Sequence, residues 1–286
     1  MDPSAKQHAI DLYDRYTHDG MDRRDFMAEM TRIAGSVAAA ELLVGAIAAS
    51  PAAAAIIPPD DKRLTTRAQD LTGGYKAYVA EPRSRSLKPT VLVIHENRGL
   101  NDHTRDIARR LAVAGYRAVA VDFLSPSGGT PANENAAREA IGKLDLGKSA
   151  SDAVAILGEL AKSSRGGKVG AVGFCWGGGF VNRLAVAAGD ALDAGVVYYG
   201  PAPAQLEAAK VRAPLMIHHA GLDSRIAQTL WPWVEALRAA GKAVTYFNYE
   251  GANHTFNNDT SAERYNKEAA DLAWTRTLRF FGRHLK

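Results

Sequence analysis

The only cysteine of the chain lies in a sequence pattern typical of a nucleophile. Cys175 follows the apolar run of residues 169–172, which predicts a buried strand, and a predicted helix begins just after it. The spacing Gly173-x-Cys175-x-Gly177 is the nucleophile-elbow pattern with Cys in place of Ser, in which the reactive side chain lies on a sharp strand-to-helix turn. The helix N-terminus would favour the thiolate, and the N–H of Trp176 could stabilise an oxyanion.

An acid and a histidine follow in the order that such a nucleophile requires. Asp223 comes after a predicted strand at 214–219, and His254 comes after another at 243–249. Each alone has an ordinary structural explanation, the Asp as a helix or turn cap and the His as a surface residue. Together with Cys175 they favour a triad in which His254 takes the thiol proton and Asp223 fixes the tautomer of His254.

Strands and helices alternate along most of the chain, and this predicts an α/β fold with a mostly parallel central sheet covered by helices on both faces. Residues 75–80 read as an edge strand, and 90–95 and 118–123 as buried strands. The other predicted strands are 168–174, 194–199, 214–219 and 243–249, and the predicted helices are 103–114, 133–143, 149–163, 177–188, 226–240 and 262–284. One domain over residues 61–286 is the simplest organisation.

Composition excludes several other classes of protein. The chain has 286 residues, a net charge of +4 and 47% hydrophobic residues, which is ordinary for a globular protein. Its Lys and Arg residues are scattered, which argues against a nucleic-acid partner. One cysteine cannot form an internal disulfide. His218 and His219 are adjacent on a strand and should point to opposite faces, so we expect no metal site there.

Residues 1–60 form a separate segment. Arg23-Arg24, with Phe26 two residues on, precedes an apolar region at 33–55 that ends in the small residues 52–54, a pattern resembling a twin-arginine export signal. Export would place the protein in the periplasm. The alternative is a helical arm packed on the domain or on a partner subunit of a cytoplasmic protein. Glu41 and the many alanines argue against a stable membrane anchor.

Five motifs together resemble the dienelactone hydrolase family (carboxymethylenebutenolidases) of the α/β-hydrolases, from about residue 73 to the C-terminus. The resemblance implies an α/β-hydrolase fold and hydrolysis of a small-molecule ester or lactone without a cofactor. The motifs are His95-Glu96-Asn97-Arg98-Gly99-Leu100-Asn101, Gly173-Phe174-Cys175-Trp176-Gly177-Gly178, Tyr198-Tyr199-Gly200, Gly221-Leu222-Asp223 and Asn253-His254-Thr255-Phe256.

The resemblance also implies roles for residues that spacing alone does not mark. Glu96 corresponds to the family's glutamate that accepts the thiol proton, which a thiol with an ordinary pKa of about 8.5 would otherwise retain at neutral pH. The N–H of Asn97 corresponds to the second oxyanion donor, beside that of Trp176. Arg98 and Arg138 are candidates for binding a substrate carboxylate.

Two features concern the substrate. Tyr199 lies at a strand end and is a candidate pocket residue. Residues 255–258 read Thr-Phe-Asn-Asn, without the arginine that the family places after its histidine, so the dienelactone itself is less strongly indicated than ester or lactone hydrolysis.

Three functions follow from these residues. The first is hydrolysis of an ester or lactone through an acyl-Cys175 intermediate. The second is a broader carboxylesterase or thioesterase that acts on neutral substrates. The third, of another class, is a non-enzymatic thiol redox or binding protein, which leaves Asp223 and His254 unexplained. We expect a monomer or a small homo-oligomer.

Overall fold

The computed structural model describes residues 2–48, 56–84 and 86–286. Its centre is an eight-stranded sheet in the order β1-β2-β4-β3-β5-β6-β7-β8, in which β1/β2 and β2/β4 pair antiparallel and the other neighbours pair parallel. The strands are β1 (Leu64–Leu71), β2 (Tyr75–Pro82), β3 (Thr90–Ile94), β4 (Arg117–Asp122), β5 (Val169–Phe174), β6 (Ala194–Tyr198), β7 (Leu215–Ala220) and β8 (Val244–Tyr249). This is the α/β fold that the sequence predicts.

Helices cover both faces of the sheet, because the central strands are apolar on both sides. In β3, for example, Leu92 and Ile94 face one core cluster, while Val91 and Val93 face the other. The helices are α1 (Pro3–His18), α2 (Arg23–Ala34), α3 (Val37–Ile47), α4 (Asp102–Val113), α5 (Glu134–Gly142), α6 (Leu146–Ala161), α7 (Trp176–Ala187), α8 (Ser224–Ala239) and α9 (Lys267–Leu285). Helices α6, α7 and α8 pack on one face, and α4 and α9 on the other.

The prediction of an edge strand at residues 75–80 is wrong in its position. That segment is β2, which pairs with β1 on one side and β4 on the other. Strand β1 forms the edge, and its sequence Leu-Thr-Thr-Arg-Ala-Gln-Asp-Leu has buried side chains only at its two ends. A strand with so little apolar alternation lacks the pattern on which sequence-based prediction depends.

Helices α1–α3, called here the N-terminal helical unit, have a small core of their own. Phe26 stacks on Tyr16 with ring centroids 4.2 Å apart and meets Tyr13 edge-on at 6.2 Å. Met30 and Ile10 are fully buried in the same cluster. The unit packs against the larger domain, for example through the ion pair of Asp14 with Arg264, while Val37 and Leu42 of α3 stay exposed.

Within the described residues, no single helix is long and apolar enough to cross a membrane; only α2 and α3 taken together reach that composition, and they meet at 103°. Arg23 and Arg24 are exposed at the start of α2. The small residues 52–54 of the expected cleavage site lie outside the described residues. Twin-arginine export stays a prediction.

The connection from β5 to α7 depends on a very close approach of backbone segments. A Cβ atom on Gly173 would lie 2.0 Å from the carbonyl oxygen of Gly177. One on Gly177 would lie 2.5 Å from the carbonyl oxygens of Ile94 and His95. Only glycine fits at these two positions, since all the opposing atoms are backbone and cannot rotate away.

We therefore expect Gly173→Ala to lower the free energy of unfolding by about 3 kcal/mol or more, because the added methyl group must displace the start of α7. Gly158→Ala is the matched control, since a Cβ there would meet nothing within 4 Å on helix α6. That control should gain up to about 1 kcal/mol. Chemical denaturation measures both changes. Equal stability of the two variants would contradict the close packing of β5 and α7.

Candidate active site

Cys175 occupies a strained turn at the carboxyl edge of the sheet. Its φ is 54° and its ψ is −116°, a conformation that L-residues rarely adopt. The turn is held because the N–H of Cys175 donates to the carbonyl oxygen of Tyr198 at 3.0 Å. In the described residues, the other non-glycine positions with positive φ are Tyr199 and Thr255. Cys175 and Tyr199 directly follow β5 and β6, and Thr255 directly follows His254, so backbone strain is concentrated around the candidate triad.

Asp223 and His254 form a short hydrogen-bonded pair at the same edge. His254 Nδ1 donates to Asp223 Oδ2 at 2.5 Å, and both residues are buried. The other oxygen of Asp223 accepts a 3.1 Å bond from the N–H of Ile226 and caps α8. Asp223 is therefore a helix cap, which is the ordinary explanation that the sequence suggests. The cap also fixes the carboxylate that orients His254.

Charges within this group perturb each other strongly. Burial alone would raise the pKa of Asp223, but the positive charge and hydrogen bond of His254 outweigh it and lower that pKa to about 2. Burial alone would lower the pKa of His254, yet the negative charges of the Cys175 thiolate and of Asp223 raise it to about 10. The arrangement therefore favours a carboxylate at Asp223 and an imidazolium whenever Cys175 is a thiolate.

The thiol and the imidazole lie close together. One ligand atom from each of Cys175, His254 and a third residue, His18, lies within 4.8 Å of the others. Among the described residues, His254 Nε2 is a buried atom that has no hydrogen-bond partner. Because Nδ1 is hydrogen-bonded to Asp223, Nε2 is the nitrogen available to exchange a proton with the thiol.

Glu96 is buried at the same edge of the sheet, and its carboxylate is hydrogen-bonded to residues other than Cys175. Its Oε1 accepts from Tyr199 Oη at 3.4 Å, and its Oε2 accepts from Asn258 Nδ2 at 3.2 Å. The expected acid–base residue is thus at the site, but no hydrogen bond joins it to Cys175 within the described part of the chain. Tyr199, expected as a pocket residue, contacts Glu96 and lies with its ring 5.1 Å from that of His254.

The loop after β3 is fixed by His95, whose role the sequence did not reveal. His95 Nδ1 donates to the carbonyl oxygen of Glu96 at 2.7 Å, and Nε2 accepts from the N–H of Phe123 at 3.2 Å. Its ring stacks on Trp176 at 5.4 Å. Of the residues described, neither Asn97 nor Trp176 has a backbone N–H bonded to a protein acceptor. Among the described residues, no backbone acceptor therefore competes for the two predicted oxyanion donors.

The C-terminal end of α1 covers this site. His18 Nε2 lies 3.1 Å from Cys175 Sγ. The side-chain amide of Asn97 donates to the carbonyl oxygen of Thr17 at 3.1 Å. In this structure the imidazole of His18 therefore covers the sulfur of Cys175.

The arginines at the site contact the N-terminal helical unit as well. Arg98 donates to Tyr13 Oη and pairs with Glu134 at 3.0 Å. Arg138 donates to the carbonyl oxygen of Tyr16 at 3.2 Å and lies over its ring. Arg264, which the sequence did not single out, pairs with Asp14 at 3.1 Å. Oxygen atoms of α1 thus accept hydrogen bonds from these three arginines, which are the cationic groups that could bind an acidic substrate.

Comparison with known proteins agrees with this fold. A family model described as the dienelactone hydrolase family matches residues 75–285. A carboxymethylenebutenolidase by name from Methylorubrum extorquens is 32% identical, covering 73% of this chain and 77% of the relative. Another so named, from Escherichia coli O157:H7, is 33% identical over 72% of this chain and 81% of its own. This chain belongs to the dienelactone hydrolase family.

A crystal structure of a dienelactone hydrolase from Klebsiella pneumoniae is similar in fold, with a TM-score of 0.68 and 25% sequence identity. The similarity covers 98% of that chain but 77% of this one. The family match begins at residue 75, so the N-terminal helical unit lies outside it. The segment that covers Cys175 is therefore an addition to the part of the chain that defines the family.

We expect His18→Ala to increase the rate at which iodoacetamide alkylates Cys175. Removing a contact of ordinary hydrogen-bond strength, about 0.5–1.5 kcal/mol, should accelerate the reaction about twofold to tenfold. The matched control is His8→Ala, because His8 is exposed on the same helix. Mass spectrometry of the single thiol follows the reaction. An unchanged or slower reaction in His18→Ala would contradict shielding of Cys175 by α1.

Proposed function

We propose that this protein hydrolyses an ester or lactone of a small molecule through a covalent acyl-Cys175 intermediate. The observation that supports the proposal best is the Asp223–His254 pair at 2.5 Å, buried at the sheet edge where Cys175 occupies its strained turn. A hydrogen-bonded acid and histidine next to a thiol is the arrangement that cysteine hydrolases use to form a nucleophile.

The reaction has two balanced steps. The thiolate of Cys175 attacks the carbonyl carbon, the C–O bond to the leaving group breaks, and the imidazolium of His254 supplies the proton that the leaving alkoxide takes up. A water molecule then attacks the thioester, passes a proton to His254, and releases the acid and the thiol. The backbone N–H groups of Asn97 and Trp176 would stabilise the oxyanion in both steps.

Glu96 would act before the first step. In the closed arrangement its carboxylate is held by Tyr199 and Asn258, and both bonds, at 3.4 and 3.2 Å, are long. Displacement of α1 by substrate would open space beside Cys175, so that Glu96 could rotate toward the sulfur, take up the thiol proton and pass it to His254, which then enters the first step as the imidazolium. This agrees with the role that the family resemblance implies.

A broader carboxylesterase or thioesterase acting on neutral substrates is the second candidate. It is favoured by the absence of arginine at residues 255–258 and by the contacts of Arg98 and Arg138 with groups of the protein itself. An anionic lactone would have to compete with Glu134 for Arg98. The ratio of kcat/KM values for a dienelactone and for a neutral aryl ester distinguishes the two candidates.

The decisive variants are Cys175→Ala and Asp223→Asn, assayed on both substrates. Cys175→Ala should abolish hydrolysis, and Asp223→Asn should lower kcat by about 10²- to 10⁴-fold, because His254 loses the acceptor that orients it. Asp271→Asn, on the exposed face of α9, is the matched carboxylate control and should retain wild-type rates.

Full activity in Cys175→Ala would contradict the proposal. If wild type hydrolyses neither substrate but its thiol oxidises rapidly, the thiol redox function becomes the better explanation.

A further inference from the structure

Three side chains from distant parts of the chain converge on one point of the closed site. They are His18 at the end of α1, Cys175 at the elbow and His254 after β8, and their ligand atoms lie within 4.8 Å of one another. The rings of His18 and His254 meet edge-on with centroids 4.8 Å apart. The cluster supplies one sulfur and two imidazole nitrogens.

Each imidazole is already fixed in the orientation that a metal requires. His18 Nδ1 lies 2.8 Å from the carbonyl oxygen of Asp14, which can only accept, so Nδ1 carries the hydrogen and Nε2 presents its lone pair to the sulfur. His254 Nδ1 is likewise committed to Asp223. Metal-binding histidines are typically held in this way, by a carbonyl or carboxylate on the nitrogen that does not bind the metal.

A buried nitrogen of the cluster has the Cys175 thiol as its neighbour and no hydrogen bond of good geometry. In the described part of the chain, His254 Nε2 is buried without a hydrogen-bond partner, although it faces the cluster. A buried polar atom without a partner is costly, and such atoms commonly mark an ion or a water. Here the missing partner would lie between two other potential ligands.

We propose that His18, Cys175 and His254 form a binding site for a thiophilic divalent cation, for which Zn²⁺ is the best match. One thiolate and two imidazoles suit zinc, whereas Mg²⁺ and Ca²⁺ require oxygen ligands. Three protein ligands leave the fourth position of a tetrahedral site to water. The site would exist only while the N-terminal helical unit is in place.

The contact between His18 and Cys175 needs little adjustment to accept the ion. With bonds of about 2.3 Å to sulfur and about 2.0–2.1 Å to nitrogen, a tetrahedral site separates sulfur from nitrogen by roughly 3.6 Å. His18 Nε2 and Cys175 Sγ are 3.1 Å apart, so the end of α1 would have to withdraw by about half an ångström. Binding would release the one proton that Cys175 and His254 share, which leaves Cys175 as a metal-bound thiolate.

Binding of the ion would connect α1 to the nucleophile. A metal-bound Cys175 cannot attack a carbonyl, and three ligands from separate segments would hold the helix end against the site. The expectation that Zn²⁺ inhibits hydrolysis rests on the proposed function. The binding site itself does not, since ligation requires only the geometry of the three side chains.

The test uses the full, untagged chain. Zn²⁺ affinity is measured by competition with a chromophoric chelator, and Co²⁺ is added separately to detect the charge-transfer absorption of a thiolate–cobalt bond. We expect one ion per chain, no competition from Mg²⁺, and at least about tenfold weaker Zn²⁺ binding in His18→Ala and Cys175→Ala. His8→Ala should bind as wild type does.

X-ray absorption spectroscopy of the zinc-loaded wild type provides a readout that does not depend on any variant. One sulfur and two nitrogen ligands would support the site. Absence of binding, absence of sulfur among the ligands, or equal affinity in His18→Ala and His8→Ala would overturn it. If the protein binds Zn²⁺ in this way but hydrolyses no ester, the metal site stands and the proposed function fails. If it hydrolyses esters but does not bind Zn²⁺, the proposed function stands and the metal site fails.

Discussion

The close approach of α7 to strands β3, β5 and β6 is the constraint on which the rest of this structure depends. Glycines at 173 and 177 let backbone atoms come within distances that no side chain would permit. This contact forces the chain to turn at Cys175 with a positive φ, and the turn lifts the thiol above the sheet edge. Trp176 follows Cys175 directly at the start of α7, so one steric condition positions both the proposed nucleophile and a proposed oxyanion donor.

The second layer of organisation is electrostatic. Asp223 uses one oxygen to cap α8 and the other to hold His254, so the fold keeps the acid in place independently of catalysis. The low pKa of Asp223 and the high pKa of His254 both arise because nearby opposite charges outweigh the opposing effect of burial. The N-terminal helical unit completes the enclosure, because α1 places His18 against the sulfur.

Much of the fold and part of the site could be predicted from the sequence. The glycine spacing around Cys175 is a local pattern, and Asp223 and His254 each come shortly after a strand that the sequence predicts. Strand β1 could not be predicted, because it is buried at its ends alone. His18 could not be assigned to the site either, since it lies 157 residues from Cys175 and the pattern at Arg23-Arg24 indicated export for the whole segment.

The central claim is that Cys175 carries the acyl group, and trapping that group tests it most directly. A short-chain aryl ester is mixed with wild-type protein, the reaction is stopped with acid during turnover, and the digested protein is analysed by mass spectrometry. The account predicts one acyl group, on the peptide that contains Cys175, which disappears once the substrate is consumed. Hydrolysis with the acyl group on another residue would contradict it.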